Sequence, residues 1–151
     1  MGPIPPTDTV LAERCRSAGL KVTPQRLAIY RAILAATDHP SAEDLFTAVR
    51  QEQPSLSLGT IYKTLDAFEA AGLVCQVALL NESKRYDGNL QPHHHLICTV
   101  CRRIVDIVDP TFDALKAPKE LRGFVADEVK VQILGRCVQC AKMTSPEENN
   151  G

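Results

Sequence analysis

The chain has 151 residues and a formal net charge of −1, and 44% of its residues are hydrophobic, which is an ordinary composition for a globular protein. No apolar run approaches the roughly 18 residues that a membrane span requires, and the first residues lack the basic and apolar regions of an export signal. We therefore expect a soluble, cytoplasmic protein in a reducing compartment, with no membrane partner. In that setting its six cysteines favour metal ligands over disulfides.

Charge is spread evenly along the chain. Residues 1–88 contain nine Lys and Arg against ten Asp and Glu, and the remaining residues contain eight against eight. Neither half has the basic excess of a simple nucleic-acid binder. Any contact with DNA must therefore depend on where individual charges are placed.

Four helices are predicted in the first half, each bounded by capping or stop signals. Thr7 or Asp8 caps the first helix, Thr23 followed by Pro24 begins the second, and Gly72 ends the fourth. The predicted helical segments are residues 7–19, 23–36, 41–53 and 57–72. Apolar residues recur at helical spacing in the last three of these segments. The predicted buried positions are Leu27, Tyr30, Ile33, Leu34, Leu45, Phe46, Val49, Leu58, Ile61, Leu65 and Phe68.

After Gly72 the pattern changes to that of strands. The runs "LVCQVALL" and "KRYD", joined by a turn at "NES", predict a hairpin. Short helices followed by a hairpin are typical of the winged helix-turn-helix, in which one helix enters the major groove of DNA. The fourth helix fits that role, with Gly59, Thr60, Tyr62 and Lys63 facing outward. An ordinary helical bundle with a polar face is the alternative that this half alone leaves open.

A linker with the sequence "GNLQP", residues 88–92, follows the hairpin. It predicts a division into domains 1–87 and 93–151. In the second domain, "HHHLIC", "RRIVDIV" and "FVADEVKVQIL" predict strands, and "PTFDALKAPKEL" predicts a helix that begins at Pro110. The predicted fold class is α+β.

Two Cys-x-x-Cys pairs frame this second domain. Cys98 with Cys101 and Cys137 with Cys140 have the spacing that lets two neighbouring thiolates face one ion. Together they predict a closed four-cysteine site for structural zinc. The alternative, a redox Cys-x-x-Cys, requires only one pair and a thioredoxin-like context. The remaining cysteines, Cys15 and Cys75, lie in apolar patterns that predict buried, unreactive thiols.

Three consecutive histidines precede the first cysteine pair. In a strand, His93 and His95 point to one face and His94 points to the other. Because four thiolates saturate zinc, His93 and His95 are available to a second metal or form an exposed histidine cluster. Asp106 favours the metal, since a carboxylate inside the apolar run "IVDIV" is costly unless it is paired or coordinating. His39 by itself predicts an ordinary surface histidine between helices.

The motifs "GLKVTPQR", "HPSAEDLF", "SLGTIYKTLDAFEAAGLV", "RYDG", "HHHLICTVC" and "GRCVQC" occur in this order. The chain thereby resembles the ferric uptake regulator family of metal-dependent bacterial repressors, from about Thr9 to Lys142. The resemblance implies a winged-helix DNA-binding domain, a hinge, an α/β dimerisation domain with structural zinc, a homodimer and double-stranded operator DNA as partner. It also implies a regulatory metal at the domain junction, with the ligands His39, Asp87, His93, His95 and Asp106.

Ligand chemistry favours one branch of that family. The three nitrogens and two carboxylates of the implied site suit Fe²⁺ or Mn²⁺, and the absence of cysteine between Tyr86 and Cys98 disfavours zinc sensing. Aspartate at position 106 is similar to the peroxide-responsive branch. That resemblance implies that His39 or His93 is oxidised when peroxide meets bound iron, after which metal and DNA are released.

The resemblance also implies how DNA is contacted. Tyr62 and Lys63 would lie in the major groove, Lys21 in the minor groove, and Arg26 and Thr60 against phosphates. The family more often has arginine in place of Lys63, so a bidentate contact with guanine is not available at this position.

Two other functions remain open. An iron-responsive uptake regulator without peroxide sensing shares the whole architecture. A metallohydrolase could use a His and Asp site with an open position to activate water, but the sequence contains no separate general-base motif. We therefore expect a regulator and not an enzyme, with peroxide as its only small-molecule signal.

Overall fold

The computed structural model describes residues 4–77, 83–118 and 121–144, and in these segments no helix is long and apolar enough to cross a membrane. The chain divides into two compact units between Leu90 and Gln91. The first unit contains helices α1 Asp8–Ser17, α2 Pro24–Ala35, α3 Ala42–Val49 and α4 Leu58–Ala70, with strands β1 Cys75–Val77 and β2 Arg85–Asp87. The second contains β3 His94–Cys98, β4 Ile104–Ile107, α5 Pro110–Asp113, β5 Gln132–Gly135 and α6 Val138–Thr144.

The four predicted helices of the first unit are present, and side chains cap them as the sequence indicates. Thr7, Thr23, Ser41 and Ser57 each accept a hydrogen bond from a backbone N–H of the first turn. Such caps satisfy donors that the helix itself leaves without a partner. Helix α3 ends at Val49, four residues before the predicted end at residue 53.

The core of the first unit forms around α2, which packs against α1, α3, α4 and β2. Because neighbours surround it, α2 buries Ala28 and Ile29 in addition to the predicted Tyr30 and Ile33. The rings of Tyr30 and Phe68 meet with centroids 5.2 Å apart. The predicted core positions Leu27, Leu34, Phe46 and Leu58 are only partly buried and pack at the edge of this core.

Strands β1 and β2 pair antiparallel, with Cys75 opposite Asp87 and Val77 opposite Arg85. The predicted hairpin is therefore confirmed where it is described, while the predicted turn at residues 81–83 lies largely outside the described residues. Cys15 is fully buried as expected, whereas Cys75 is half-buried, so the prediction of a buried thiol is wrong at position 75.

The second unit is built on a three-stranded sheet with the order β4-β3-β5, in which β3 runs antiparallel to β4 and parallel to β5. Two predicted elements are shorter than expected. Helix α5 is a single turn, because Leu115 is exposed and Pro118 follows, so that a longer helix would gain little burial. Of the long predicted strand, residues 124–134, only the last three pair with β3, and Phe124 and Val125 at its start are exposed.

The two faces of this sheet differ in chemistry. On one face Leu96 lies between Val105 and Ile133 in a row of apolar side chains. On the other face His95 lies opposite Asp106, because successive residues of a strand point to opposite sides. The sheet therefore separates an apolar surface from a surface of nitrogen and oxygen donors.

Candidate metal sites and candidate nucleic-acid interface

The four predicted zinc ligands lie together in the second unit. Cys98 ends β3, Cys101 follows in a turn, Cys137 precedes α6 and Cys140 lies in its first turn. Their sulfur atoms all lie within 4.8 Å of one another, and those of Cys101 and Cys137 are 3.8 Å apart. Four sulfurs at about 2.3 Å from a tetrahedral zinc ion are about 3.8 Å from one another. The four sulfurs therefore lie within about 1 Å of the spacing that a tetrahedral zinc ion requires.

Backbone amides prepare this cluster for a cation. The N–H of Cys137 donates to the sulfur of Cys98 at 3.4 Å, and this bond, with further backbone donors, lowers the pKa of the Cys98 thiol to about 5. The pKa of Cys137 is lowered by the N–H of Cys140. The pKa of Cys140 is raised to about 12, first by its hydrogen bond to Cys137 and then by burial. The backbone donors therefore favour the thiolate form of Cys98, the form that binds a divalent cation.

His93, His95 and Asp106 form a second group of donors in the same unit. The Nε2 atoms of His93 and His95 are 3.1 Å apart, and each lies 3.5 Å from the same carboxylate oxygen of Asp106. Nitrogen and oxygen ligands at about 2.1 Å from a first-row divalent ion are about 3.0–3.5 Å from one another. The three atoms therefore have the spacing of neighbouring ligands, and the prediction that His93 and His95 share a face is confirmed.

The orientation of His93 suits metal binding. Its Nδ1 lies 2.6 Å from the carbonyl oxygen of Gln91, and since a carbonyl can only accept, Nδ1 carries the proton. The lone pair of a neutral His93 is then on Nε2, the atom that faces His95. Asp106 departs from the expectation of a costly buried carboxylate, because 37% of its side chain is exposed.

His94 has a structural role. Its Nδ1 accepts a hydrogen bond from the N–H of Val131 at 3.1 Å. Nε2 therefore carries the proton, and this N–H donates a hydrogen bond to the Asp113 carboxylate at 3.0 Å. This buried ring connects β3 to α5 and to the residue before β5. The prediction that His94 points away from His93 and His95 is confirmed.

His39 and Asp87 form a donor pair in the first unit. His39 Nε2 lies 3.1 Å from Asp87 Oδ2, and each residue is 6% exposed. The other carboxylate oxygen of Asp87 accepts from the N–H of Asn89 at 2.8 Å. The expectation that His39 is an ordinary surface histidine is wrong, since its ring is buried against Asp87; its backbone has a φ of 48°. The sequence gives no signal for that conformation in a residue other than glycine.

Three of the four residues predicted to face outward on α4 are exposed, and the fourth, Thr60, is half-buried. Tyr62 and Lys63 are exposed, while Ile61, Leu65 and Phe68 are buried on the opposite side of the helix. The Tyr62 hydroxyl donates to Glu43 on α3 at 2.7 Å. This bond lowers the pKa of Glu43 and raises the pKa of Tyr62.

The other predicted DNA contacts already have partners within the first unit. The Arg26 guanidinium donates to the carbonyl oxygen of Lys21 at 2.8 Å, which connects the segment before α2 to its first turn. The hydroxyl oxygens of Thr60 and Ser57 are 2.9 Å apart at the start of α4. Lys21 is exposed.

Three contributors to these sites were not identified from the sequence. Glu43 orients Tyr62, the carbonyl of Gln91 orients His93, and Arg85 contacts the His39 segment. Arg85 had a usable signal, because residues two apart in a strand share a face and Arg85 precedes Asp87 by two. The other two contacts depend on tertiary structure and had none.

The chain is similar to known proteins along most of its length. The model of the ferric uptake regulator family matches residues 17–134. The peroxide-responsive repressor PerR of Staphylococcus aureus is 32% identical over 126 residues, which cover 83% of this chain and 85% of that protein.

Solved structures give the same result. The chain is similar to the peroxide stress regulator of Campylobacter jejuni, with a TM-score of 0.63 and 26% identity over 87% of this chain and 97% of that one. It is also similar to the ferric uptake regulator from Francisella tularensis with iron, with a TM-score of 0.67 and 26% identity over 82% of this chain and 96% of that one. The chain belongs to the ferric uptake regulator family.

Proposed function

We propose that this member of the family is a DNA-binding repressor that requires a regulatory metal and senses hydrogen peroxide through oxidation of a histidine at that metal. The observation that carries the proposal is the convergence of the His93 and His95 nitrogens on the Asp106 carboxylate, at 3.1 and 3.5 Å. The relatives named as peroxide-responsive repressors support it at about a third identity. Peroxide would act as a signal and not as a substrate for turnover, and DNA as the partner implies a cytoplasmic location.

The regulatory site that we propose consists of His39, Asp87, His93, His95 and Asp106 around one Fe²⁺ or Mn²⁺ ion. Each unit supplies donors at ligand spacing: one pair in the first and three in the second. Imidazole and carboxylate without thiolate suit iron and manganese, whereas the four thiolates of the other cluster suit zinc. The two kinds of donor set therefore support two metals with separate roles.

Fe²⁺ in this site would supply the redox chemistry that cleaves the O–O bond of hydrogen peroxide, which Mn²⁺ does not readily perform. His39 or His93 would gain one oxygen atom at a ring carbon, and the second peroxide oxygen would leave as water. The oxidised ring is a poorer donor than imidazole. The metal would then dissociate, and the protein would release its operator.

Mass spectrometry combined with a DNA-binding assay tests this mechanism. The iron-loaded protein should lose operator binding after peroxide treatment and carry one added oxygen on His39 or His93. The manganese-loaded protein should bind the operator and remain unmodified under the same treatment. Release of DNA on chelation without any histidine oxidation in the iron form would instead identify an iron-responsive uptake regulator.

For DNA recognition we propose that Tyr62 and Lys63 contact bases in the major groove, that Lys21 enters the minor groove, and that Arg26 and Thr60 contact phosphates. The exposure of Tyr62 and Lys63 on α4 supports this assignment. Lys63→Ala should weaken binding to the operator more than binding to unrelated DNA. The matched control is Lys130→Ala, which removes a lysine of the second unit that pairs with Glu128. Equal losses on both DNAs would mean that Lys63 contacts phosphate only.

We further propose that the protein is a homodimer formed through the second unit. The apolar row of Leu96, Val105 and Ile133 supports this, because Val105 is 46% exposed and Ile133 is 37% exposed on the sheet face opposite the His95 donors. Sedimentation of the zinc-loaded protein should give the mass of a dimer, and Val105→Glu should shift it toward the monomer. A monomeric wild-type protein would contradict the assignment.

A further inference from the structure

Arg85 contacts the segment that carries His39. Its guanidinium donates through Nη2 to the carbonyl oxygen of Asp38 at 2.5 Å, and through Nε to the carbonyl oxygen of His39. Both contacts lie within the first unit and span more than forty residues of sequence. The planar fork of a guanidinium can reach two neighbouring carbonyls at once, which an ammonium group cannot do with the same geometry.

The backbone of His39 explains why two carbonyls are available together. His39 has a φ of 48°, in the left-handed region, and in this conformation the carbonyl oxygens of Asp38 and His39 both face the Arg85 guanidinium. This conformation is unfavourable for a residue with a Cβ and persists only where the surroundings enforce it. The two bonds from Arg85 are placed where they offset that cost.

Other contacts hold the rest of this loop. The N–H of Tyr86 donates to the carbonyl oxygen of Pro40 at 3.0 Å, and Ser41 forms an isolated bridge with Arg85 through the backbone. These backbone bonds do not depend on the Arg85 side chain. Loss of the guanidinium therefore should free Asp38 and His39 while the pairing of the loop with β2 and the start of α3 remain.

We propose that Arg85 is a positioning residue for the regulatory metal: it holds His39 in the left-handed conformation that directs its imidazole to Asp87. The proposal rests on the proposed function, because it assumes that His39 and Asp87 bind the regulatory ion. Arg85 and Asp87 are two residues apart on β2 and share one face of the strand. One strand thus supplies both a metal ligand and the group that fixes its partner.

The direction in which metal affinity changes when Arg85 is replaced distinguishes this role from simple electrostatics. A guanidinium near a cation site repels the cation, so if charge alone mattered, removing Arg85 would strengthen metal binding. The positioning role predicts the opposite result. Arg85→Lys keeps the charge but loses the fork, and Arg85→Ala loses both.

The first measurement needs no regulatory metal. In the zinc-loaded protein, the Cα chemical shift and the amide coupling constant of His39 report its backbone conformation by NMR. Arg85→Lys and Arg85→Ala should both move these values away from the left-handed region, and Lys84→Ala, at the exposed neighbouring position, should not. Values unchanged in both Arg85 variants would overturn the proposal.

The second measurement is the affinity of the zinc-loaded protein for Mn²⁺, determined by electron paramagnetic resonance. We expect about 10-fold weaker binding in Arg85→Lys and Arg85→Ala, which is ~1.4 kcal/mol, with unchanged zinc content and no change in Lys84→Ala. Wild-type or tighter affinity in both Arg85 variants would overturn the positioning role. A wild-type protein that binds no Mn²⁺ beside its zinc would contradict the proposed function instead, and the role of Arg85 in the fold would be decided by the His39 shifts alone.

Discussion

Gly88→Ala should loosen the His39 and Asp87 pair through a packing conflict with α2. A Cβ at position 88 would lie 2.5 Å from a terminal methyl of Leu34 and 3.3 Å from the Cγ2 of Ile33. Carbon atoms in contact are about 3.5–4.0 Å apart, so the first contact requires a shift of about 1 Å. Leu34 is half-buried and can rotate, but Ile33 is buried and β-branched, with essentially one rotamer in a helix. The backbone at residue 88 must therefore move away by a few tenths of an ångström.

The expected loss of stability depends on which of the two close contacts can relax. Overpacking a core by one methyl group costs about 1–3 kcal/mol, and we expect about 1 kcal/mol here because the Leu34 methyl can turn aside. The displacement also reaches Asp87, which precedes Gly88. Its 3.1 Å contact with His39 is already near the upper limit of a hydrogen bond. We therefore expect weaker Mn²⁺ binding together with the loss of stability.

Tyrosine fluorescence during urea unfolding gives a direct assay, because all three tyrosines, Tyr30, Tyr62 and Tyr86, lie in the first unit. Gly59→Ala is the matched control in the same unit, since its added Cβ would meet only the Ser57 hydroxyl oxygen at 3.8 Å and should cause no loss of stability. Combining Gly88→Ala with Leu34→Ala should reduce the cost of the glycine change, as coupled neighbours are not additive. A Gly88→Ala protein as stable as wild type would refute the reasoning. So would a loss of unfolding free energy from Gly88→Ala that is equal in the wild-type and Leu34→Ala backgrounds.

Three further predictions concern caps and ionisable groups. Ser41→Ala should lower the free energy of unfolding by about 1 kcal/mol, measured with urea, because it removes the cap of α3. It should also raise the pKa of Asp44, which is lowered first by the Ser41 N–H and next by the Ser41 hydroxyl. In reduced, zinc-free protein, the Cys98 thiolate should stabilise the second unit fully above the unfolded pKa and lose this effect as the pH falls through about 5. Because intrinsic amide exchange itself speeds up with pH, the measurement is the protection factor of the β3 amides, the intrinsic rate divided by the observed rate. It should rise with pH in wild type and rise less in Cys98→Ser. Tyr62→Phe should raise the pKa of Glu43 toward its ordinary value in an NMR titration, and an unchanged value would mean that the hydroxyl does not donate to that carboxylate in solution.

Local signals in the sequence predicted the first unit well. Thr7, and Thr23 with Pro24, each mark a helix start that the structure confirms, because capping depends on neighbours within one turn. The mutual facing of His93 and His95 was likewise available from the two-residue period of a strand. These features need no knowledge of distant residues.

Features that depend on distant partners were less accessible. The strand containing Ile133 is short because only a few residues pair with β3, which the apolar pattern of residues 124–134 does not reveal. Burial of Ala28 and Ile29 follows from helices packed around α2 on several sides. The pairing of His39 with Asp87 across 48 residues came from the family resemblance alone, and the left-handed backbone of His39 came from neither source.

The two candidate metal sites differ in how their donors are distributed along the chain. The four cysteines of the candidate zinc site all lie in the second unit, so zinc would stabilise that unit independently of the first. The proposed regulatory ion would instead take two ligands from the first unit and three from the second, and neither subset alone completes a coordination sphere. Binding of that ion would then be linked to the placement of the DNA-binding unit, which gives a physical reason for a metal-dependent repressor to use it. The linkage implies that His39→Ala and His95→Ala should each abolish operator binding while leaving the zinc content intact, and a variant of either histidine that keeps full operator binding would break it.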